Sequence, residues 1–451
     1  MRRGSVAFFL VALWCGAVRA DSVDLDQAVA RALDHDPRIE EVKHLVDAAR
    51  ALVDEAQGHK GWVLDINSFL GIAPAVNGGL FEGGACTPGN CKLRNDRYDL
   101  SGFSLWGDVT LSVVKPLYTF GKIENYTEAA EANVKVKQGD VRLKRGETVL
   151  DVKRAYYGYL AARDGHLLLE DVKTRVDGTI EMVKQWLEDQ NGNVRQSDLY
   201  ALQSGSALIG RYLDEAGALE QVALDGLKVL TGAGLDGDLT VADRSLKPID
   251  MPDMDLSALE QQALAQRPEM NQVEAGLRAR RALVAANKAN ATPNLYAGVA
   301  GFLSYSPNRD HLDNPYIADP FNDYGLTPVI GLKWDWTGSV QSAQVAQAEA
   351  ELNALIAKAA RAREGIPYQV AKQYHQVRAY HDAVAHMADA SRSARRWMIA
   401  SFADFEAGQQ TGDKVVTAFQ GYVLAHTQYL QTVFDYNMHV AQLLHVTGVD
   451  Q

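Results

Sequence analysis

The chain has 451 residues, of which 47% are hydrophobic and 23% are charged, and its formal net charge is −12. This composition excludes a wholly disordered chain and a collagen-like fibre. The acidic balance argues against a nucleic-acid partner, because phosphates attract basic side chains. A mean hydropathy of −0.20 excludes a polytopic helical membrane protein, although membrane-spanning strands remain possible because their alternating residues average out.

The first 20 residues are predicted to be a secretory signal peptide. Arg2 and Arg3 precede an apolar run at 6–18, which is too short to span a membrane as an anchor. Ala20 supplies the small residue expected before cleavage. Cys15 lacks the small preceding residues of a lipidated cysteine, so no lipoprotein is predicted. No later stretch contains 18 consecutive apolar residues, and the sequence therefore predicts no transmembrane helix.

Two cysteines remain after the predicted cleavage site. Cys86 and Cys91 flank the residues Thr-Pro-Gly-Asn at 87–90, and Pro followed by Gly is typical of a type II turn. Such a turn would direct the two side chains toward each other. In an exported chain we predict that they form a disulfide, the alternative being two free thiols in a loop.

The chain contains one pattern of residues twice. Asp24-Leu25, Ala32-Leu33 and Pro37 recur 231 positions later as Asp255-Leu256, Ala263-Leu264 and Pro268. The sequence therefore predicts a first repeat at 21–236, a linker at 237–254 and a second repeat at 255–448. Residues that recur farther along the two repeats are Lys115, Tyr118, Thr119 and Tyr156, matched by Lys333, Trp336, Thr337 and Tyr374.

Each repeat is predicted to hold the same elements in the same order. A short helix (25–34 and 256–265) precedes a helix that begins at a proline (37–60 and 268–291). Two strands with period-two alternation follow, around 62–67 and 105–113 in the first repeat and around 295–303 and 326–336 in the second. A long helix (121–191 and 338–407) and, after a glycine turn, a shorter helix (194–230 and 412–446) complete each repeat.

The long helices are predicted to pack as antiparallel coiled coils. About 70 residues at about 1.5 Å per residue give each a length of roughly 105 Å. The first carries a stripe of apolar residues spaced by three and four, and Pro367 is predicted to kink the second. The stripe consists of Leu169, Val172, Val176, Ile180, Val183 and Leu187.

Four strands in one chain cannot close a barrel, and their exposed edges would promote aggregation. Three copies would supply twelve strands, enough for a pore-forming barrel. Aromatic side chains near strand ends suit a membrane interface, and the alternative is a soluble β-layer with a tryptophan core. The tryptophans on or beside the strands are Trp62, Trp106, Trp334 and Trp336.

The sequence resembles the TolC-like outer-membrane efflux proteins over about 24–448. The paired repeat starts, the segment from Lys115 to Gly121, the segment from Gln347 to Ala350 and the glycine turns carry this resemblance. No single motif is specific for this family. The specific feature is the doubled order of elements that follows a signal peptide.

The resemblance implies a mainly α-helical protein in which a trimer forms a 12-stranded β-barrel, continuous with a barrel of coiled-coil helices and built from an internal tandem repeat. The barrel would lie in the outer membrane and the helices in the periplasm. The helix tips would dock onto a periplasmic adaptor (membrane fusion) protein and an inner-membrane pump or ABC transporter, in efflux or type I secretion. The channel itself would need no cofactor and would catalyse no reaction.

Acidic residues near the helix tips close the periplasmic end in this family. Asp198 follows Gly192 by six positions and Asp413 follows Gly408 by five, so both are candidate entrance-gate residues. A carboxylate repeated three times would form a negative ring that attracts cations. The alternative for each is a helix N-cap. Val416 stands where a second acid would be expected, so a gate of two acidic rings is not predicted.

The turns at the helix tips are the predicted surface for partner docking, although their glycines could serve only the chain reversal. The histidines are poorly spaced for a shared metal, and no nucleotide-binding loop, zinc motif or nucleophile elbow is present. The alternative function is a periplasmic coiled-coil adaptor or scaffold that forms no pore. The predicted docking residues are Gly192, Val194, Arg195, Gly408, Gln409, Gln410 and Gly412.

Overall fold

The structure is a computed structural model of the chain, and it describes residues 21–75, 87–89, 91–92, 99–189, 194–252, 255–309 and 319–449. Within these ranges the helices are α1 (Leu25–His35), α2 (Pro37–Gly58), α3 (Lys122–Glu188), α4 (Gln196–Leu230), α5 (Leu256–Gln266), α6 (Pro268–Ala289), α7 (Gly338–Glu406) and α8 (Gly412–Val446). The strands are β1 (Asp21–Val23), β2 (Val63–Ala75), β3 (Asp99–Tyr118), β4 (Leu239–Val241), β5 (Asn294–Tyr305) and β6 (Asp323–Lys333).

The chain divides into two compact units. Unit 1 comprises Met1–Val42, Asp140–Met270 and Ala362–Gln451, and unit 2 comprises Lys43–Gly139 and Asn271–Arg361. The sheet of β2, β3, β5 and β6 belongs to unit 2, whereas α4 and α8 belong wholly to unit 1. The long helices α3 and α7 each contribute residues to both units.

The sheet of unit 2 is antiparallel, with the strand order β2-β3-β5-β6. β3 pairs with β5 although four helices, α3 to α6, separate them in sequence, so the sheet joins the two predicted hairpins. The outer strands are β2 and β6, and each has a partner on one side only within the described sheet. The sequence predicted all four strands, but β3 continues well beyond the predicted stretch at both ends.

Unit 1 is built from helices whose apolar stripes meet in buried clusters. The predicted stripe of α3 is confirmed, since Val172, Val176 and Val183 are fully or almost fully buried and pack with residues of α4, α7 and α8. A second cluster surrounds Tyr156 and Leu227, and a third surrounds Leu259 and Tyr436. Burial of the apolar faces of these helices is the main source of their stability, because their other faces are polar and exposed.

The segment at 237–252 is a packed part of unit 1, which the sequence did not predict. β4 pairs in parallel with β1, and Leu239 and Leu246 are buried. Tyr156 donates a hydrogen bond to Asp243 at 2.8 Å, and the Asn437 side chain bonds the segment's backbone. The predicted linker therefore also covers part of the helical core.

Corresponding helices in the two halves of the chain have closely similar lengths. α1 and α5 each have 11 residues, α2 and α6 each have 22, and α4 and α8 each have 35. The predicted helices agree with the observed ones to within three residues at each end. Pro367 lies inside α7 without ending it, and the predicted kink stays a prediction.

An ion pair lies at the corner where each short helix meets the proline-started helix. The acidic residue precedes the proline in the first half of the chain, and the basic residue precedes it in the second. In the first half Arg38 donates to Asp36 at 2.8 Å and to Asp151 at 2.9 Å. In the second half the base comes first, and Arg267 donates to Glu269 and, at 2.8 Å, to Gln369. Each corner thereby connects a short helix, a proline-started helix and a long helix.

Candidate functional site

The turn between α3 and α4 places the predicted docking residues in different environments. Arg195 is exposed, whereas Val194 is buried and packs in the cluster with Val183 and Leu199. The structure therefore assigns Val194 to the core rather than to a docking surface, because its apolar side chain completes the end of the α3 stripe. Gly192 lies outside the described residues.

Asp198 hydrogen-bonds the backbone at the starts of both α4 and α8. It is only 6% exposed, and its two carboxylate oxygens accept hydrogen bonds from two helix starts. Oδ2 accepts from the Arg195 N–H at 2.9 Å, and Oδ1 accepts from the Gly412 N–H at 2.8 Å. The negative charge thus lies at the N-terminal ends of α4 and α8, where helix dipoles favour it.

The expectation that Asp198 could be an N-cap is corrected by this geometry. The N-cap position of α4 is occupied by Arg195, and Asp198 is the third residue of the helix. Its side chain still satisfies the N-cap N–H, and it adds a bond across to the other tip. Sequence spacing showed an acid near the turn but carried no signal for this second partner.

Gly412 is required by the close approach of the two tips. A Cβ atom at this position would lie 2.9 Å from the Asp198 Cβ and 3.0 Å from its carbonyl oxygen. Gly412 is buried, so its role is close packing rather than exposure to a partner. Farther along, Gly205 of α4 likewise faces Val416 of α8, whose methyl groups would lie 3.0 and 3.2 Å from an added Cβ.

This contact explains why residue 416 is a valine, although the resemblance would place a second gate acid there. Val416 packs against the buried cluster that contains Leu202, Val415 and Phe419. A carboxylate at 416 would lose its hydration against Gly205 and the apolar side chains of this cluster, which is costly for a charged group. The position therefore belongs to the packing between α4 and α8.

The turn between α7 and α8 is closed by backbone and side-chain bonds. Gly408 has a positive φ of 71°, and the Gln409 N–H donates to the Asp404 carbonyl at 2.8 Å. The Gln410 side chain donates to the Asp404 carboxylate at 2.8 Å. Gly408 and Gln409 are exposed, and Gln410 is partly buried. The exposed surface of this turn is therefore polar and small.

Asp413 differs from Asp198 in being exposed. It is the second residue of α8, after the N-cap Thr411, whose hydroxyl donates to its carboxylate. This hydrogen bond, with Lys414 nearby, holds the pKa of Asp413 below its ordinary value of 3.8. Asp413 is therefore an ionised carboxylate at the surface near neutral pH, and it is not an N-cap.

The sheet of unit 2 has one apolar face and one polar face. The registers place alternate residues of all four strands on the same side. On the apolar face Leu70 and Ile330 are each 78% exposed, although large aliphatic side chains are normally buried. Other exposed residues of this face are Leu64, Ile66, Ile72, Phe103, Leu105, Val109, Leu303, Leu326 and Leu332.

The opposite face of the sheet is polar. It carries Asp65, Asn67, Asp108, Thr110 and Ser112, which alternate with the apolar residues along β2 and β3. A groove of about 350 Å³ runs along this face, lined mostly by small and polar residues together with Leu111 and the ring of Phe302. A wider cavity of about 890 Å³ lies where this face meets helix segments of unit 2.

Three of the four predicted interface tryptophans lie where the strands join the helices. Trp62 directly precedes β2, and Trp334 and Trp336 follow β6; all three are exposed. Trp106 differs from these three because it lies in the other half of the sheet and on the polar face, and its place at a membrane interface stays a prediction. Its indole N–H donates to Ser304 at 2.7 Å, and its ring packs edge-on against neighbouring aromatic rings.

The predicted disulfide falls partly beyond the described residues. Cys91 is disulfide-bonded, but Cys86 lies outside the described ranges, so the Cys86–Cys91 pairing stays a prediction. In the part of the chain that the structure describes, no helix is both long enough and apolar enough to cross a membrane. The same part holds no group of three or more acidic, histidine or cysteine side chains placed to bind a metal ion.

Several known proteins share this fold. The outer membrane channel CmeC of Campylobacter jejuni is 14% identical, with a TM-score of 0.75 over 94% of this chain and 86% of that one. The outer membrane protein VceC of Vibrio cholerae is 15% identical, with a TM-score of 0.70 over 94% and 96%. The MtrE outer membrane channel of Neisseria gonorrhoeae is 15% identical, with a TM-score of 0.70 over 94% and 89%.

At these identities the structural likeness establishes the fold. No curated protein sequence matches the chain. The family model for the outer membrane efflux protein, however, matches residues 28–189 and 259–449, which is most of the chain. The chain therefore belongs to the outer membrane efflux protein family, and its fold is that of an outer-membrane efflux channel.

Proposed function

We propose that three copies of this chain form one passive outer-membrane channel, with the sheets in the membrane and the helix tips in the periplasm. The observation that carries the proposal is the two-faced sheet of unit 2. Its apolar face exposes aliphatic side chains, and its polar face carries carboxylates and hydroxyls. This alternation is that of a transmembrane strand with lipid on one side and water on the other.

The unpaired edges of the sheet support a trimer. β2 and β6 each leave one edge open within the described sheet, and exposed backbone edges in a membrane need hydrogen-bond partners. Pairing β6 of one copy with β2 of the next would satisfy both edges. Three copies with four strands each would close a 12-stranded barrel.

The helix tips are the proposed entrance and docking surface. Asp198 connects the start of α4 to the start of α8, so separating these two tips would break its bond to Gly412. We propose that this bond favours the closed entrance and that Asp413 adds an exposed negative charge beside it. The proposed contact surface for a periplasmic adaptor and its inner-membrane pump or ABC transporter is polar and consists of Arg195, Gly408, Gln409 and Gln410.

The proposed role requires no chemistry in the chain itself. Transport energy would come from the inner-membrane partner, and the same conduit could serve efflux or type I secretion. The known channels with this fold are efflux or outer-membrane channels by name. Their cargo is not carried over to this chain, because its selection would depend on the partner pump.

The first test is imaging of the mature protein extracted in detergent. We expect particles with threefold symmetry and a detergent belt at one end only. A monomer or dimer that stays in solution without detergent would contradict the channel and would favour a periplasmic scaffold. Imaging tests the oligomer and its membrane contact without depending on whether the entrance is open.

The second test is ion conductance across planar bilayers. Replacing Asp198 by Ala removes both acceptor oxygens, and we expect a several-fold higher single-channel conductance because the closed entrance loses a connection. Asp214→Ala, an exposed acid on the same helix, is the matched control and should conduct like the wild type. Equal conductance of all three proteins, with trimers intact, would reject the gating role of Asp198.

A further inference from the structure

The two described ends of the connection between β5 and β6, at 306–309 and 319–322, are attached to the polar face of the sheet at the end remote from the helix junction. Ser304 accepts a hydrogen bond from Trp106 and donates one to the Pro320 carbonyl, both at 2.7 Å. The Asn308 N–H donates to the Ser104 hydroxyl at 3.1 Å. These bonds fix the residues that enter and leave the connection on the same face as the carboxylates of β2 and β3.

A buried ion pair holds the two sides of this connection together. The side chains of Arg309 and Asp319 are 0% and 3% exposed, and their closest N–O distance is 3.0 Å. Arg309 also donates to the Pro74 carbonyl at 2.8 Å, and its guanidinium lies 4.7 Å from the centre of the Phe321 ring. A buried pair is costly to desolvate, so it persists only in a well-defined geometry with its hydrogen bonds made.

Three aromatic rings extend this arrangement across the sheet. Phe321 packs edge-on against Trp106 with ring centres 5.1 Å apart, and Trp106 packs edge-on against Phe69 at 4.7 Å. Phe69 is half exposed on the polar face. We name Phe69, Trp106, Arg309, Asp319 and Phe321 the rim cluster.

The side chains of the rim cluster are larger than most of those that lie nearer the helices on the polar face. Between the rim cluster and the helices, the polar face carries Thr110, Ala300 and Thr327, which line the open groove with a single ring, that of Phe302. A ring of Trp or Phe projects several ångströms farther than Ala or Thr. The polar face therefore becomes more crowded and more aromatic toward its end.

We propose that the rim cluster is a fixed constriction near the outer mouth of the channel, which limits passage by size. This rests on the proposed function, because it requires the polar face to line the water-filled channel. The buried Arg309–Asp319 pair supplies the rigidity, and the rings of Trp106 and Phe321 supply the bulk. Three copies around the channel would bring three such clusters to one level.

The test measures access from outside to a thiol placed beyond the constriction. Ala300→Cys in the full chain is treated, on intact cells, with a small maleimide and with maleimides on polyethylene glycols of increasing size. The rates are compared with Arg309→Ala or Phe321→Ala added; the second change leaves the ion pair in place if the first prevents folding. Arg211→Ala, which breaks an exposed ion pair on α4, is the matched control.

We expect the small reagent to label the introduced thiol equally in every variant. Large reagents should react slowly behind the intact cluster and several-fold faster after either rim substitution, with no change from Arg211→Ala. Identical rates for large reagents in all folded variants would overturn the constriction and leave the channel standing. Failure of the small reagent in every variant would overturn the proposed function, and the constriction with it. The chain without Ala300→Cys reports labelling of the native cysteines.

Discussion

At the scale of single residues, the helix tips depend on one buried carboxylate and one glycine. Asp198 satisfies the N–H groups of Arg195 and Gly412, and Gly412 is the residue that lets the two backbones approach. Both residues stand close to turns in the sequence, yet their contact joins positions 214 apart. The tip is therefore a packed junction of α4 and α8 rather than two independent turns.

The glycine prediction concerns Gly412→Ala. The added Cβ would lie within about 3 Å of Asp198, so the tips must shift, and we expect a loss of about 1–3 kcal/mol in unfolding free energy. Gly226→Ala is the control, since an added Cβ there meets no atom within 4 Å. That change should stabilise α4 by up to about 1 kcal/mol. Thermal unfolding in detergent measures both, and equal behaviour of the two variants would contradict the close approach.

A second residue-scale prediction concerns pH. His426 lies between Tyr422 and Tyr429 and is 2.8 Å from the Ser391 hydroxyl; burial, with Arg395 nearby, lowers its pKa below the ordinary 6.5. The unfolded chain therefore binds this proton more readily, and stability falls as the pH drops below 6.5. The slope for one proton is at most about 1.4 kcal/mol per pH unit.

His426→Gln should remove part of this pH dependence. The pKa of His439 is lowered in the same direction by burial, so some of the dependence should remain. The check is the unfolding temperature of both proteins across the range below the ordinary histidine value of 6.5. An unchanged slope in the variant would show that folding does not lower the pKa of His426.

At the scale of elements, the two ion-paired corners fix how each proline-started helix leaves its short partner. Arg267 is almost buried and holds Glu269 and Gln369 together. Burial raises the pKa of Glu269, but hydrogen bonds from Arg267 and from its own backbone outweigh this, and the pKa lies below the ordinary 4.5. The stabilisation is present above that value and is lost as the pH falls through the lowered pKa.

Arg267→Gln tests this corner. We expect a loss of about 1–3 kcal/mol near neutral pH, because a partly buried carboxylate loses its charged partner. The difference from the wild type should shrink as the pH falls from 4.5 through the lowered pKa of Glu269, below which the carboxyl group is protonated in both proteins. Arg211→Gln, in an exposed pair with Glu215, should leave the stability close to that of the wild type, because water screens an exposed pair. A constant difference at all pH values would contradict the ion pair as the cause.

At the scale of the whole molecule, the function depends on which face of the sheet meets lipid. Ile330 and Thr327 lie on opposite faces of β6, three residues apart. A lysine on the lipid side costs about 2–4 kcal/mol at the membrane midplane, whereas a lysine on the channel side is hydrated. Ile330→Lys should therefore lower the amount of trimer in the outer membrane, and Thr327→Lys should leave it near the wild-type amount.

The measurement is the quantity of folded trimer in isolated outer membranes. Cell-wide expression of each variant, measured in parallel, separates failed insertion from failed synthesis. If Thr327→Lys were lost and Ile330→Lys assembled normally, the assignment of the two faces would be reversed. Equal assembly of both variants would argue that this sheet does not contact lipid.

The sequence by itself determined the order and type of the main elements. Period-two and period-3.6 apolar patterns are local, so the four strands of the sheet and the eight helices within the described ranges could be located from them. The short strands β1 and β4 were missed because three residues carry too little periodicity. The apolar stripe of α3 was also predicted, because its spacing is a property of a single helix.

Only the tertiary structure decided which distant residues meet. The Asp198–Gly412 bond, the Arg267–Gln369 bond and the Trp106–Ser304 bond join residues 214, 102 and 198 positions apart. Such contacts follow from how elements pack, and polar side chains leave no periodic signal of their partners. The buried Arg309–Asp319 pair shows the same limit, since in sequence its members look like ordinary loop charges. Periodic apolar burial is thus readable along the chain, whereas specific polar pairing emerges only when the elements are assembled.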